Sequence, residues 1–282
     1  MDRHKMLLVG PTGCGKTKAM FDIIKRVLTT TEKHVWFMSF DDGYSRHVKR
    51  LSKDTTPEQF ERLHVYDCPD WTSTRDSYRE VKMAWGKGDW LFLDRVDLAW
   101  DDIQAYLSAS KTEYNEDELD SYFLDKHLAT IKAAVGGSAD AEKALMAPNA
   151  EKDFNNNDWA YMKDALKSVV FDPCRGTDAR MKGINVVASE FASYGINSFT
   201  RNEKQEQKKD SRRLYGLNMT IAGEKNVPGY FEATIAFEKE NGNYCISSDK
   251  DRERKTFFRQ PLEEGTGFWD TYQSLIDEEL SV

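Results

Sequence analysis

The sequence predicts an α/β fold in three layers: helices on both faces of a mostly parallel sheet, a helical insertion at about 101–158 and a C-terminal β-hairpin. Two observations carry this. From residue 6 to residue 94, short apolar runs alternate with segments of helical periodicity. Four of the apolar runs also end in polar residues: the turn that starts at Gly10, Asp41/Asp42, Asp94, and Ser189/Glu190. In a parallel sheet the carboxyl ends of the strands line one edge, and ligands sit there.

Met6-Leu7-Leu8-Val9 reads as a buried strand. Gly10-Pro11-Thr12-Gly13-Cys14-Gly15-Lys16-Thr17 follows it and satisfies G-x-x-x-x-G-K-[ST] at every fixed position. A helix comes next, with Ala19, Met20, Ile23, Ile24, Val27 and Leu28 spaced three and four apart. Val35-Trp36-Phe37-Met38-Ser39-Phe40 is a second strand, stopped by Asp41-Asp42-Gly43. Thr56-Pro57 has the form of a short helix start. Leu63-His64-Val65-Tyr66 is a strand, 74–85 a helix, Gly86-Lys87-Gly88-Asp89 a turn, and Trp90-Leu91-Phe92-Leu93 a buried strand ending at Asp94. From about 98 to 181 the pattern is mainly helical. Its strongest stripe is Trp159, Met162, Ala165, Leu166 and Val169, which reads as core packing. Ile184-Asn185-Val186-Val187-Ala188 is a buried strand that stops at Ser189-Glu190. The runs 233–237 and 243–248 flank Asn241-Gly242, a hairpin turn. A short strand near Phe257-Phe258 and a helix over about 268–280 complete the chain.

Composition narrows the class. No apolar run reaches membrane-span length, and Met1-Asp2-Arg3-His4-Lys5 leads straight into the first strand, so neither a membrane span nor a signal peptide is expected. Cys14, Cys68, Cys174 and Cys245 are scattered without a C-x-x-C pair. That pattern fits reduced thiols in a cytoplasm, not zinc or a disulfide framework. The net charge of −8 is uneven. Residues 101–128 hold eight acids against Lys111 and Lys126, a net of −6, which leaves −2 for the rest. Nucleic acid therefore stays open as a partner.

The Gly10–Thr17 pattern is a phosphate-binding loop, so its expected ligands are ATP and Mg2+. Its glycines let backbone N–H groups curl around a phosphate at a helix N-terminus. Lys16 can reach the β- and γ-phosphates, and the Thr17 hydroxyl can ligate Mg2+. Asp94, after four apolar residues, has the form of the carboxylate that holds the same ion beside Thr17. Arg95 follows it where many motor ATPases carry Glu, so the base for an attacking water must come from elsewhere. Asp41 and Asp42 are candidates, although Asp-Asp-Gly equally suits a helix cap or a turn.

Asp41/Asp42, at the end of the strand after the loop helix, are where the chain resembles the RecA-like P-loop ATPases, including the hexameric-helicase and KaiC branches. The resemblance covers about 1–100 and 159–260 and implies one RecA-like domain over 1–282. It implies Asp41 or Asp42 as the water-orienting acid, a place where the family normally has Glu. In RecA-like order the strand ending at Ser189/Glu190 lies between the phosphate-loop strand and the Asp94 strand, with the strand of residues 35–40 beyond the latter. The family places a γ-phosphate sensor at that strand end, here Ser189 or Glu190, and Glu190 is a second base candidate. Lys250-Asp251-Arg252 resembles the Lys-x-Arg fingers that reach a neighbouring subunit's phosphate, which implies a homo-oligomer with shared sites; alone it equally reads as a solvated charge run. Tyr215-Gly216-Leu217-Asn218-Met219, Gly223-Glu224-Lys225 and Pro228-Gly229-Tyr230-Phe231-Glu232 resemble phage-type ATPases with a RecA core, so the expected setting includes the host cytoplasm. The N-terminal polymerisation or helicase-partner domains of larger relatives are expected to be absent.

The run 201–213, with six bases and three acids, sits where RecA-like proteins carry a DNA-contacting loop, so single- or double-stranded DNA is the expected partner. The leading expectation is an ATPase acting in DNA recombination or annealing. A DNA-packaging or helicase-type motor is the alternative. A nucleoside or small-molecule kinase, with Arg175 and Arg180 as lid residues, and a non-hydrolysing nucleotide switch are less favoured.

Overall fold

The computed structural model describes residues 4–111, 156–171, 173, 183–194, 213–214, 219–224, 226–240, 242–251, 257–262 and 267–280. In chain order, β1 (Lys5–Gly10) leads through the phosphate loop into α1 (Lys16–Thr30). β2 (Val35–Ser39), a 3-10 turn (Asp42–Tyr44), α2 (Ser45–Asp54) and α3 (Pro57–Phe60) follow. Then come β3 (Leu63–Asp67), α4 (Trp71–Ala84), β4 (Trp90–Asp94) and α5 (Val96–Lys111). After the undescribed stretch 112–155 come α6 (Asn156–Leu166), a π turn (Lys167–Phe171), β5 (Asn185–Tyr194), β6 (Arg213–Leu214) and β7 (Met219–Ile221). A 3-10 turn (Val227–Tyr230), β8 (Ala233–Glu240), β9 (Asn243–Asp251), β10 (Gln260–Leu262) and α7 (Phe268–Leu280) end the chain. Most of the expected helical insertion, the 201–212 run, Cys174, Arg175, Arg180 and Arg252 lie outside the described residues.

The strands join in the order β10-β9-β8-β1-β5-β4-β2-β3, with β6 and β7 beside the far end of β5. From β8 to β3 every neighbouring pair is parallel, and β9 and β10 run antiparallel at one edge. This is the expected order: β5 separates β1 from β4, and β2 lies beyond β4.

The period of two along each strand sorts the core into two layers. Met6, Leu8, Val35, Phe37, Trp90, Phe92 and Val187 face α1, α2 and α7. Leu7, Val9, Trp36, Met38, Leu91, Leu93, Val186 and Ala188 face α4, α5 and α6. Fully burying one such side chain contributes roughly 1.5–3 kcal/mol, so the layers fix the register of the sheet firmly. On one face, Asp22 of α1 accepts the N–H of Trp269 at 2.9 Å and pins the start of α7.

Three boundaries differ from expectation. The helix expected at 74–85 starts at Trp71, because the Asp70 carboxylate accepts the Ser73 N–H in a capping box. The strand expected near Phe257-Phe258 lies at Gln260–Leu262, paired with β9. β5 does not stop at Ser189/Glu190: Ala192, Ser193 and Tyr194 continue it by pairing with β7.

Candidate active site

The turn from β1 into α1 is built around left-handed glycines. Gly10 has φ 150°, and a Cβ there would lie 2.4 Å from the Phe237 carbonyl of β8, so a side chain is excluded. Gly15 caps α1 at φ 102°. Thr12 and Gly13 form the exposed crest of the loop, and Cys14 is turned inward. Lys16 is only 6% exposed. Its ammonium donates to the carbonyls of Gly10 at 2.7 Å and Pro11 at 2.9 Å, with the Cys14 sulfur at 3.8 Å. Burial pushes its pKa down, with Arg95 adding to the lowering and Cys14, Asp94 and Asp97 opposing it. The loop thus holds a desolvated cation on its own carbonyls.

Behind the loop, β4, β5 and the first turn of α1 meet at one carboxylate. Asp94 ends β4 and is fully buried. It accepts the Thr17 hydroxyl at 2.9 Å and the Ser189 hydroxyl. Ser189 Oγ in turn accepts the N–H of Arg95 at 2.9 Å. Burial lifts the Asp94 carboxyl above its ordinary range, against the pull of the two hydroxyls and Lys16. The fit to Mg2+ rests on the donor set: one carboxylate and one hydroxyl beside a phosphate cradle, for an ion that takes its remaining ligands from phosphates and water.

Asp41 and Asp42 part ways. Asp41 caps the 3-10 turn, its Oδ1 accepting the Gly43 N–H at 2.9 Å, and its Oδ2 lies 3.9 Å from the Arg95 guanidinium. Asp42 is exposed within the turn. The cap and the ion pair with Arg95 thus coincide on one residue.

Ser189 and Glu190 part ways more sharply. Ser189 shares a face with Val187 and meets Asp94, whereas Glu190 shares a face with Val186 and Ala188, on the side away from α1. Glu190 is fully buried; its Oε1 accepts the Gly223 N–H at 3.0 Å, and Oε2 has no hydrogen-bond partner among the described residues. Burial raises its pKa well above the carboxylate range, and nearby Asp97 and Glu224 raise it further. The structure therefore does not bring Glu190 to the phosphate loop.

The fold is RecA-like. β5 stands between the phosphate-loop strand and the Asp94 strand, and the strand bearing Asp41 lies beyond. Solved structures that the chain is similar to include the RadB recombinase, at 11% identity and TM-score 0.48, covering 91% of this chain and 86% of that one. Another is the KaiC-like protein PH0186 from Pyrococcus horikoshii OT3, at 15% and 0.45, covering 93% and 85%. A third is a DnaB-like replicative helicase, at 13% and 0.43, covering 90% of this chain but 54% of that one. No family model and no curated protein matches the sequence.

Within the RecA-like sheet, Lys250 lies opposite Thr234, which pairs with Leu7, so its backbone sits back along the strands from the loop that follows Gly10. Arg252 lies beyond the described part of this strand. The other end of β9 is close to the loop, since the Tyr244 ring lies 3.7 Å from where a Cβ on Gly15 would be.

Arg95 is the residue that sequence reasoning undervalued, noted only as the absence of Glu. Its φ is 73°, a left-handed backbone that costs a non-glycine residue about 1–3 kcal/mol. Its guanidinium donates to both oxygens of Asp97, at 3.0 and 3.2 Å from Nε and 2.7 Å from Nη2. It also lies 5.8 Å from the centroid of the Phe191 ring. The sequence signal was its place between Asp94 and Asp97, at the end of a buried strand.

Proposed function

We propose that this chain is a Mg2+-dependent ATPase whose RecA-like core acts on nucleic acid. The observation that supports it most is the Thr17–Asp94–Ser189 hydroxyl–carboxylate relay behind a phosphate loop already shaped for an anion. The fragments Gly10, Pro11, Thr12, Gly13, Cys14 and Gly15 form the cradle, and Thr17 with Asp94 would hold Mg2+. Held there, the ion would supply charge neutralisation for a bound triphosphate.

This chain's own residues do the rest. Lys16 exchanges the Gly10 and Pro11 carbonyls for phosphate oxygens, so its buried charge gains a full counter-charge. Asp41 orients the attacking water and takes its proton, because Oδ1 is held by the Gly43 N–H while Oδ2 is on the Arg95 side. Asp42 is too exposed for that role, and Glu190 lies on the other face, where burial disfavours its charged form. Ser189 registers Asp94 against the backbone of Arg95. The strand order supports hydrolysis over transfer to a small acceptor, since a kinase-type sheet would put β4 directly beside β1.

On this reading the chain is one domain, a homo-oligomer with Lys250 and Arg252 serving a neighbouring site, and the 201–213 run contacts DNA during recombination or annealing. Among the described residues no helix is long and apolar enough to cross a membrane. The test is phosphate release over a protein concentration series, with and without single-stranded DNA. Mg2+-dependent release that DNA stimulates is expected. Release without any response to DNA or RNA would overturn the nucleic-acid assignment, and no nucleotide binding at all would overturn the ATPase assignment. Strand separation would favour the motor reading over annealing.

A further inference from the structure

Arg95, directly after Asp94 at the end of β4, is held by features that a surface ion pair does not need. Its backbone is left-handed at φ 73°, and its N–H is fixed by Ser189 Oγ, the same hydroxyl that donates to Asp94. The residue is therefore registered to the carboxylate expected to hold the metal. Its side chain is 21% exposed and lies between two acids: Asp97 in the first turn of α5, in a bidentate pair, and Asp41, which follows β2, at 3.9 Å. A guanidinium next to Asp94 in sequence and held on carboxylates of its own chain is an arrangement suited to exchange for an incoming anion. Asp97 is itself anchored, since it accepts the Phe191 N–H at 3.1 Å, and it provides Arg95 with a defined resting place.

We propose that Arg95 contacts the terminal phosphate of a bound nucleoside triphosphate within its own subunit, leaving Asp97 to do so, and thereby distinguishes triphosphate from diphosphate. The inference rests on the nucleotide-binding reading of the loop. Its planar fork matches phosphate oxygens in pairs, as it now matches the Asp97 carboxylate. No bond is made or broken: one bidentate anion partner replaces another. Asp97 competes with the phosphate, so it sets how much of the discrimination is realised.

The experiment is titration of the full chain with fluorescent ATP and ADP analogues in Mg2+, comparing wild type, Arg95→Ala and Asp97→Asn, with thermal unfolding of each. Arg95→Ala is expected to lose at least about tenfold in ATP affinity while ADP affinity changes less than about twofold. Asp97→Asn, which keeps an oxygen for the Phe191 N–H but releases the guanidinium, is expected to raise the preference for ATP. An ATP/ADP ratio in Arg95→Ala within about twofold of wild type overturns the proposal. If Arg95→Ala unfolds, Asp97→Asn decides, and an unchanged or lowered ratio there overturns it. A wild-type chain that binds neither nucleotide overturns the loop reading together with this one, whereas unchanged ratios with intact binding overturn this one alone.

Discussion

Thr17 and Asp94, 77 positions apart in the chain, share a 2.9 Å hydrogen bond at the carboxyl end of the sheet. That bond joins the first turn of α1 to the end of β4, and Ser189 adds β5 to the same carboxylate. Asp94→Asn keeps the shape but removes the charge that would hold Mg2+. Hydrolysis is expected to fall by about a hundredfold or more, with ATP affinity no longer tightening as Mg2+ is added. A Mg2+ titration of nucleotide binding checks this. An unchanged metal dependence would move the metal role away from Asp94.

Lys16→Ala should cost little stability, because the buried ammonium satisfies only loop carbonyls and a sulfur. A melting shift within about 4 °C is expected, on the order of 1 kcal/mol for a chain of this size. ATP affinity should fall at least about tenfold, or 1.4 kcal/mol, and hydrolysis should be lost. Calorimetry and equilibrium binding on one preparation separate the two effects. Wild-type affinity in the variant would refute the phosphate-loop assignment.

Much of this site is legible in the sequence, and the reasons are physical. The phosphate loop needs fixed residue types at fixed spacing, so Gly10, Gly15, Lys16 and Thr17 announce it locally. Asp94 is visible because a buried parallel strand reads as a continuous apolar run that ends where the sheet meets solvent. Glu190 shows where such reading stops. Ser189 and Glu190 are adjacent in sequence and point to opposite faces, and which face carries α1 is decided by packing across the whole sheet. The continuation of β5 is also a tertiary effect, made by pairing with β7. Arg95 was hidden for another reason: a left-handed backbone at a non-glycine residue leaves no trace in composition, and its partners come from two places, the first turn of α5 and the residues after β2.

Glu190→Gln separates the buried acid from the catalytic one. Its folded pKa lies above the unfolded value of about 4.3, so between the two the native state binds more protons than the unfolded chain. The contribution of this group to wild-type stability is therefore greatest below that unfolded value and declines as pH rises toward the folded one. Glutamine removes this decline while still accepting the Gly223 N–H. The variant should gain stability over wild type as pH rises above the unfolded value, by about 1.4 kcal/mol for each pH unit until the folded pKa is reached. Hydrolysis should stay within about threefold of wild type, the scale expected when no reacting group is touched. A collapse of hydrolysis with ATP binding intact would return Glu190 to the base role.

The last prediction concerns which residues of a site come from which subunit. Lys250 sits opposite Thr234, back along the sheet from its own phosphate loop, and Arg252 follows it. Arg95 instead is one residue from Asp94 in the same chain. Arg252→Ala should keep ATP binding and lose hydrolysis, since a cation supplied by a neighbour stabilises charge that develops only in the transition state. Mixed with Lys16→Ala protein, it should recover activity, because an intact loop from one variant can meet an intact Arg252 from the other. At equal amounts and random assembly in a head-to-tail ring, about a quarter of the interfaces are complete. Arg95→Ala mixed with Lys16→Ala should recover nothing, because both lesions fall in the same half of the site. Recovery in both mixtures would place Arg95 with the neighbour. Full hydrolysis by Arg252→Ala, or by wild-type protein that sediments as a monomer, would leave Lys250-Asp251-Arg252 as a solvated charge run and make every residue of the site the subunit's own.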